Sequence, residues 1–170
     1  MPPVTVLKRQ GATRRPALGM LDLLYGGNLM IEGVHHLGIA VRSLKQALEI
    51  YSRAMGLEVQ KTMELPDFKV KIGFVPVGDV LLEFIEPLSS SGAFVDFLSQ
   101  RGEGIHHIAF RVSDIDAVLE KLKNQGIKLL DEKSRPGAEG MIAFLNPEST
   151  SGVMVELIEV WGEKIRQEKG

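Results

Sequence analysis

Gly33-Val34-His35-His36-Leu37-Gly38-Ile39-Ala40-Val41 returns later in the chain as Gly104-Ile105-His106-His107-Ile108-Ala109-Phe110-Arg111-Val112. Each block alternates apolar and small residues with the period of a strand. A helical pattern follows each: Leu44, Ala47, Leu48 and Tyr51 after the first, Ile115, Val118, Leu119 and Leu122 after the second. Gly56 and Gly126 then supply the C-terminal stop that a helix commonly takes. Three short strand-like runs come next in each copy, 57–64, 70–77 and 80–85 in the first and 127–131, 141–145 and 153–158 in the second. The last runs repeat again, Leu81-Leu82-Glu83-Phe84-Ile85-Glu86 against Met154-Val155-Glu156-Leu157-Ile158-Glu159. The pattern predicts an α+β fold of two tandem βαβββ modules, at about 33–88 and 104–160, sharing one core. Between them Phe94, Phe97 and Leu98 stand at helical spacing and predict a short connecting helix over Gly92–Arg101.

The 170 residues, 44% hydrophobic, are enough for one domain with a sizeable core. A formal charge of −2 argues against a nucleic-acid surface spread over the protein. No apolar run has the roughly 18 residues that a membrane-spanning helix needs, so no membrane partner is expected. There is no cysteine, which removes disulfide scaffolds, cysteine-ligated zinc, iron–sulfur clusters and thiol nucleophiles together. Residues 1–29 differ from the rest, with Lys8, Arg9, Arg14 and Arg15 against Asp22 alone and Pro2, Pro3 and Pro16 breaking any regular pattern. They read as a disordered extension, or as the product of a start codon upstream of a true Met30. An organellar signal would need a longer amphipathic helix than these prolines allow. One domain is expected over 30–162, followed by a tail at 163–170, with the cytoplasm as the default compartment.

All four histidines of the chain sit in the two doublets. Strand alternation puts His36, Gly38 and Ala40 on one face, and likewise His107, Ala109 and Arg111. The greasier face packs on the helices, so His36 and His107 are the candidates for function and His35 and His106 are expected at the packing side or the sheet edge, as structural residues. Glu83 lies mid-strand between Leu81 and Ile85 on its face, and Glu156 between Met154 and Ile158. A carboxylate in such surroundings is costly unless it has a charge partner. Glu86 and Glu159 fall on the opposite face near strand ends and are expected to be solvated. Two imidazoles and two carboxylates in repeat register suit a divalent first-row metal. The same residues could be edge-strand acids with coincidental histidines, but the register favours the metal. The N/O set does not choose among Co, Mn, Ni, Fe(II) and Zn, whereas Ca or Mg would prefer oxygen alone. Four ligands on an octahedral ion leave two positions for substrate or water.

From about Ile31 to Val160 the chain resembles the vicinal oxygen chelate (glyoxalase/dioxygenase) superfamily, and within it most resembles the methylmalonyl-CoA epimerases. The resemblance rests on Gly33–Val41, Val70–Pro87, Gly102–Val112 and Ile142–Leu157. It implies a curved mixed sheet around a metal, with His36, Glu83, His107 and Glu156 in the four ligand positions. Some members carry glutamine where this chain has Glu83. It also implies a divalent ion, Co²⁺ first and Mn²⁺, Ni²⁺ or Zn²⁺ after it, a CoA thioester as substrate, and a homodimer. The reaction implied interconverts (2R)- and (2S)-methylmalonyl-CoA by moving the C2 proton through an enolate. A Lewis acid at the thioester oxygen is worth several kcal/mol there, and acid/base groups are needed on both faces of the planar intermediate. Glu156 is the expected catalytic group on one face. Where some relatives carry a second base this chain has Lys71, which instead could pair with a substrate carboxylate or a CoA phosphate, or be a solvated surface lysine. Gly137-Ala138-Glu139-Gly140, with Arg135 beside it, reads either as a lid over the pocket mouth or as a surface turn. Two alternatives share the ligand set: glyoxalase I acting on the methylglyoxal–glutathione hemithioacetal, and a metal- or ligand-binding protein without catalysis.

Overall fold

Both modules build the elements in the repeated order, and the connecting helix forms between them. In the computed structural model, which describes residues 30–162, the first module runs β1 (Gly33–Ala40), α1 (Leu44–Glu49), β2 (Lys61–Leu65), β3 (Val70–Val77) and β4 (Val80–Pro87). A π-helical turn, Ile50–Ala54, extends α1. After α2 (Ala93–Arg101) come β5 (Gly104–Arg111), α3 (Ile115–Asn124), β6 (Arg135–Pro136), β7 (Gly140–Leu145) and β8 (Val155–Val160). The expected extension at 1–29 and the tail at 163–170 lie outside the described residues.

The eight strands form one curled mixed sheet in the order β2-β3-β4-β1-β5-β8-β7-β6. Each module therefore contributes four strands in the same relative order, and the modules join where β1 pairs antiparallel with β5. On the convex side α1 buries Leu44 with Val41, Val75 and Phe84, and α3 buries Ile115, Val118 and Leu119 against Ala143, Leu145, Val155 and Leu157. Each such side chain contributes roughly 1.5–3 kcal/mol by leaving water. The concave side carries Val70, Ile72, Phe74 and Ile85 from one module and Ala109, Ile142 and Ile158 from the other.

Three expectations are corrected. Residues 127–131 make only an isolated bridge, Leu129 to Leu145. There the Asp131 carboxylate accepts the Phe144 N–H at 2.9 Å, so a side chain takes the place of a ladder carbonyl. The edge strand is instead β6, two residues long. In the first module the strand begins at Lys61, because Leu57 and Val59 pack with the helix cluster before it. Glu86 and Glu159 are not merely solvated: Glu86 Oε2 accepts the Leu44 N–H at 2.7 Å and Glu159 Oε2 accepts the Ile115 N–H at 3.0 Å. In each module the last strand thus supplies an anion to the start of the helix, where free N–H groups and the helix dipole favour one.

Candidate active site

Register brings the four candidate ligands together in two neighbouring rows across the concave face. Along one row Phe74 pairs with Glu83, Glu83 with Gly38, and Gly38 with His107. Along the other, in the opposite direction, Phe144 pairs with Glu156, Glu156 with Ala109, and Ala109 with His36. Each row reads aromatic, carboxylate, small residue, imidazole, which is the sequence repeat expressed as a two-fold relation. The small residue lets its two neighbours lean over it. At Gly38 this is a steric requirement, since a Cβ there would lie 2.0 Å from His107 Cε1. The space that alternation assigned to a ligand is filled by the His107 ring.

His36 Nε2 and His107 Nε2 stand 3.1 Å apart. Glu83 Oε2 is 3.1 Å from His36 Nε2 and 3.9 Å from His107 Nε2. Glu156 Oε2 is 3.3 Å from His107 Nε2, and its Oε1 is 3.8 Å from His36 Nε2. All four residues are buried. His36, Glu83 and His107 form the tightest group, with donor atoms within 4.8 Å of one another, and Glu156 reaches both imidazoles from its own row.

The first histidine of each doublet has a role that alternation did not predict. His35 has no partner in the β1–β5 register, which shifts between Val34 and His36, and His106 is passed over likewise where the register shifts between Gly38 and Ile39. These bulges re-aim both side chains. His35 Nδ1 lies 2.9 Å from His36 Nδ1, and His106 Nδ1 lies 3.0 Å from His107 Nδ1. Burial lowers His35 from 6.5 to about 4 and also lowers His106, so both are neutral near pH 7. A neutral ring can accept at Nδ1, so the ring of His36 or His107 donates from Nδ1–H and keeps its Nε2 lone pair for the centre. The doublets were legible in the sequence; the bulges were not.

Charge in the site is unevenly held. Burial pulls His36 down, but its hydrogen bond to Glu83 and the charges of Glu83 and Glu156 outweigh this and raise it. Burial, with the charge on His36, holds His107 well below 6.5. Burial pushes the Glu156 carboxyl up to about 8. A divalent cation would replace these protons and neutralise the buried carboxylates.

Beneath Phe68, Phe94 and the turn from β6 to β7 lies a cavity of about 100 Å³ that opens onto these four residues. Arg135 and Glu139 from that turn also line it. Arg135 stacks over Phe68 and Phe144, with its guanidinium carbon 5.1 and 5.8 Å from the ring centres, and Asp131 lies 3.6 Å from its Nε.

The sequence profile of the Glyoxalase/Bleomycin resistance protein/Dioxygenase superfamily matches residues 35–145. The chain belongs to this superfamily. It is 40% identical over 130 residues to an uncharacterized protein, YqjC, of Bacillus subtilis (strain 168), covering 76% of this chain and 93% of that one. It is 32% identical over 151 residues to the mitochondrial methylmalonyl-CoA epimerase of Homo sapiens, covering 88% and 84%. A solved methylmalonyl-CoA epimerase in complex with methylmalonyl-CoA and NH4⁺ superposes with a TM-score of 0.72 at 30% identity, covering 78% of this chain and 96% of that one. Within the superfamily the chain groups with the methylmalonyl-CoA epimerases, which are isomerases.

For a member of this superfamily the donor set fits a metal. Two donors can share an ion when they lie closer than about 4.2 Å, twice a metal–nitrogen bond, and the five imidazole–imidazole and imidazole–carboxylate separations, from 3.1 to 3.9 Å, meet that limit. The structure does not bring Lys71 to the cavity. Its strand partner is Glu86, on the convex side, and its ammonium lies 3.6 Å from Glu64 in solvent. The 137–140 segment is cavity wall: Ala138 packs on the concave cluster, and Glu139 Oε1 accepts a hydrogen bond from Lys61 Nζ at 2.6 Å. In the sequence Glu139 is only part of a loop, and its one distinguishing mark is to be a lone acid in a glycine-bounded turn. Among the described residues no helix is long and apolar enough to cross a membrane.

Proposed function

We propose that this chain epimerises methylmalonyl-CoA at C2 with a divalent metal, Co²⁺ foremost, held by His36, Glu83, His107 and Glu156. The observation that carries the reading is the cluster of His36, Glu83 and His107, with Glu156 within 3.8 Å of both imidazoles, under an apolar cavity that also holds a guanidinium. When bound, the cation supplies a Lewis acid for the charge that builds on the thioester oxygen as the C2 proton leaves. The chain's own groups do the rest. The walls formed by Ile72, Ile85, Ile142 and Phe144 exclude water and strengthen every charge interaction inside. Arg135, fixed between two aromatic rings, meets the free carboxylate of the acyl group in a paired hydrogen bond. Glu156 takes or returns the C2 proton on one face. The homodimer belongs to this reading through the resemblance to the epimerases, and the cytoplasm enters it only as the default compartment. The four ligands themselves come from one chain.

The test is exchange of the C2 proton of methylmalonyl-CoA in D₂O, with metal-free protein and after loading with Co²⁺. Fast, metal-dependent deuterium uptake with loss of C2 configuration is expected. No uptake with Co²⁺, Mn²⁺, Ni²⁺ or Zn²⁺ would overturn the reading and direct the loaded protein to the methylglyoxal–glutathione hemithioacetal.

A further inference from the structure

Inversion at C2 requires a proton to leave one face of the carbon and another to arrive on the opposite face. Glu156 serves one face in the epimerase reading, on which this inference rests, and Lys71 lies outside the cavity. The ionisable side chains that line the cavity among the described residues are His36, Glu83, His107, Glu156, Arg135 and Glu139. Four of these converge on the metal position. A guanidinium does not give up its proton in a protein. We propose that Glu139 is the second acid/base group, supplied by the turn between β6 and β7 rather than by a strand of the first module.

The surroundings of Glu139 suit that work. Its side chain is 20% exposed and is held by Lys61 Nζ at 2.6 Å. Lys61 belongs to β2, at the other end of the sheet order, so the pair bridges the two edges of the curled sheet over its concave side. The ammonium lies 4.9 Å from the centre of the Phe74 ring, next in register to Glu83. Glu139 is thereby drawn toward the first module, while Glu156 stands in the second. The backbone at Glu139 is fixed: its carbonyl accepts the Trp161 N–H at 3.0 Å, and Gly140 beside it packs so tightly that a Cβ would lie 2.2 Å from the Glu159 carbonyl oxygen. Lys61 bonds one carboxylate oxygen and leaves the other for the substrate. It is a positioning residue, which fixes where the free oxygen of Glu139 stands.

In one direction the C2–H bond breaks toward the free oxygen of Glu139. The bonding pair moves into the C1–C2 bond, and the thioester oxygen takes the negative charge. Glu156, entering this direction with a proton taken from water, then delivers it to the opposite face, re-forming a C2–H bond as the charge returns from oxygen, and Glu139 afterwards releases its proton to water. The reverse direction exchanges the two roles, and no oxidant or reductant is involved.

The experiment presents each epimer separately in D₂O to Co²⁺-loaded wild type and Glu139→Gln, with metal content and melting temperature recorded for both. In the variant, the epimer whose proton faces Glu156 is expected to exchange with retention of configuration. The other is expected not to exchange, and epimerisation falls by about 10²–10⁴-fold. Glu139→Asp keeps a carboxylate and is expected to exchange both epimers at reduced rates. Should Glu139→Gln fail to fold, Glu139→Asp decides: failure to exchange either epimer at wild-type metal content overturns the proposal. So does Glu139→Gln that epimerises at the wild-type rate, or that loses both exchanges equally. A wild type that exchanges neither epimer overturns instead the epimerase reading itself.

Discussion

Replacing Gly38 by alanine should remove the metal site through a single methyl group. The added Cβ would lie 2.0 Å from Cε1 of His107 and 2.4 Å from both ring nitrogens. Ordinary contact begins near 3.4 Å, so the ring or its strand must move by about 1.4 Å, against a tolerance of roughly 0.2 Å for a metal–ligand bond. The His107 ring has His106, His36 and Phe144 against it, at centroid separations of 5.2, 5.2 and 5.5 Å, so a displacement also disturbs these neighbours. Disturbing a group that merely orients a ligand costs about 10–100-fold in metal affinity, and displacing the ligand itself should cost at least the upper end of that range. Overpacking should also lower the stability of the metal-free protein by about 1–3 kcal/mol. The assay is calorimetric titration of Gly38→Ala with Co²⁺, beside urea unfolding of the metal-free form. Wild-type affinity and stoichiometry in the variant would refute the argument that an absent side chain makes room for a ligand.

His35→Ala and His106→Ala should each weaken metal binding by about 10–100-fold while leaving the fold intact, because each removes the Nδ1 partner of a ligand ring; unchanged Co²⁺ affinity in both would count against that role. Arg135→Met should raise KM by about 10–150-fold through loss of charged hydrogen bonds to the substrate carboxylate, with metal content unchanged; an unaltered KM would remove Arg135 from recognition. Glu86→Ala and Glu159→Ala should each cost about 0.5–2 kcal/mol in urea unfolding by uncapping their helices, without loss of metal. Metal-free protein should be most stable near pH 6.5. Glu156, raised from 4.5 to about 8, holds a proton in the folded state that the unfolded chain has released, so stability falls as pH rises through that window. Raised His36 acts in the same sense above pH 6.5. His35, lowered from 6.5 to about 4, acts oppositely, as do lowered His106 and His107, so stability recovers as pH climbs toward 6.5. Bound Co²⁺ should abolish the decline between pH 6.5 and 8, which melting curves with and without chelator would reveal.

The parts of the molecule that the sequence made legible are those its repeat states twice. Two copies of strand, helix and three further strands fixed the module order, and alternation within the doublets placed His36 and His107 on the face that proves to be concave. The mid-strand cost of burying Glu83 and Glu156 marked them as partners of something charged. What escaped notice depended on departures from regularity. One unpaired residue in each central strand turned His35 and His106 toward the ligand histidines, and period-two reasoning sends them to the helices. Asp131 displaced a strand with its own side chain, which propensity over 127–131 does not foresee. Of the readings open for Lys71, resemblance offers a place in the site, but its strand partner Glu86 faces the helix layer and its ammonium lies in solvent beside Glu64, so the surface reading holds. Glu139 could not be found from spacing, because what brings it to the cavity is a lysine on the far edge of the sheet.

The most direct test of the metal centre is the proton NMR spectrum of the Co²⁺-loaded protein in H₂O, where ring N–H protons of coordinated histidines are shifted far outside the ordinary range and vanish in D₂O. Two such resonances are expected in the wild type, from Nδ1–H of His36 and His107. Neither His36→Ala nor His107→Ala should retain the pair. A spectrum with no shifted ring N–H, or one unchanged by both substitutions, would contradict the site.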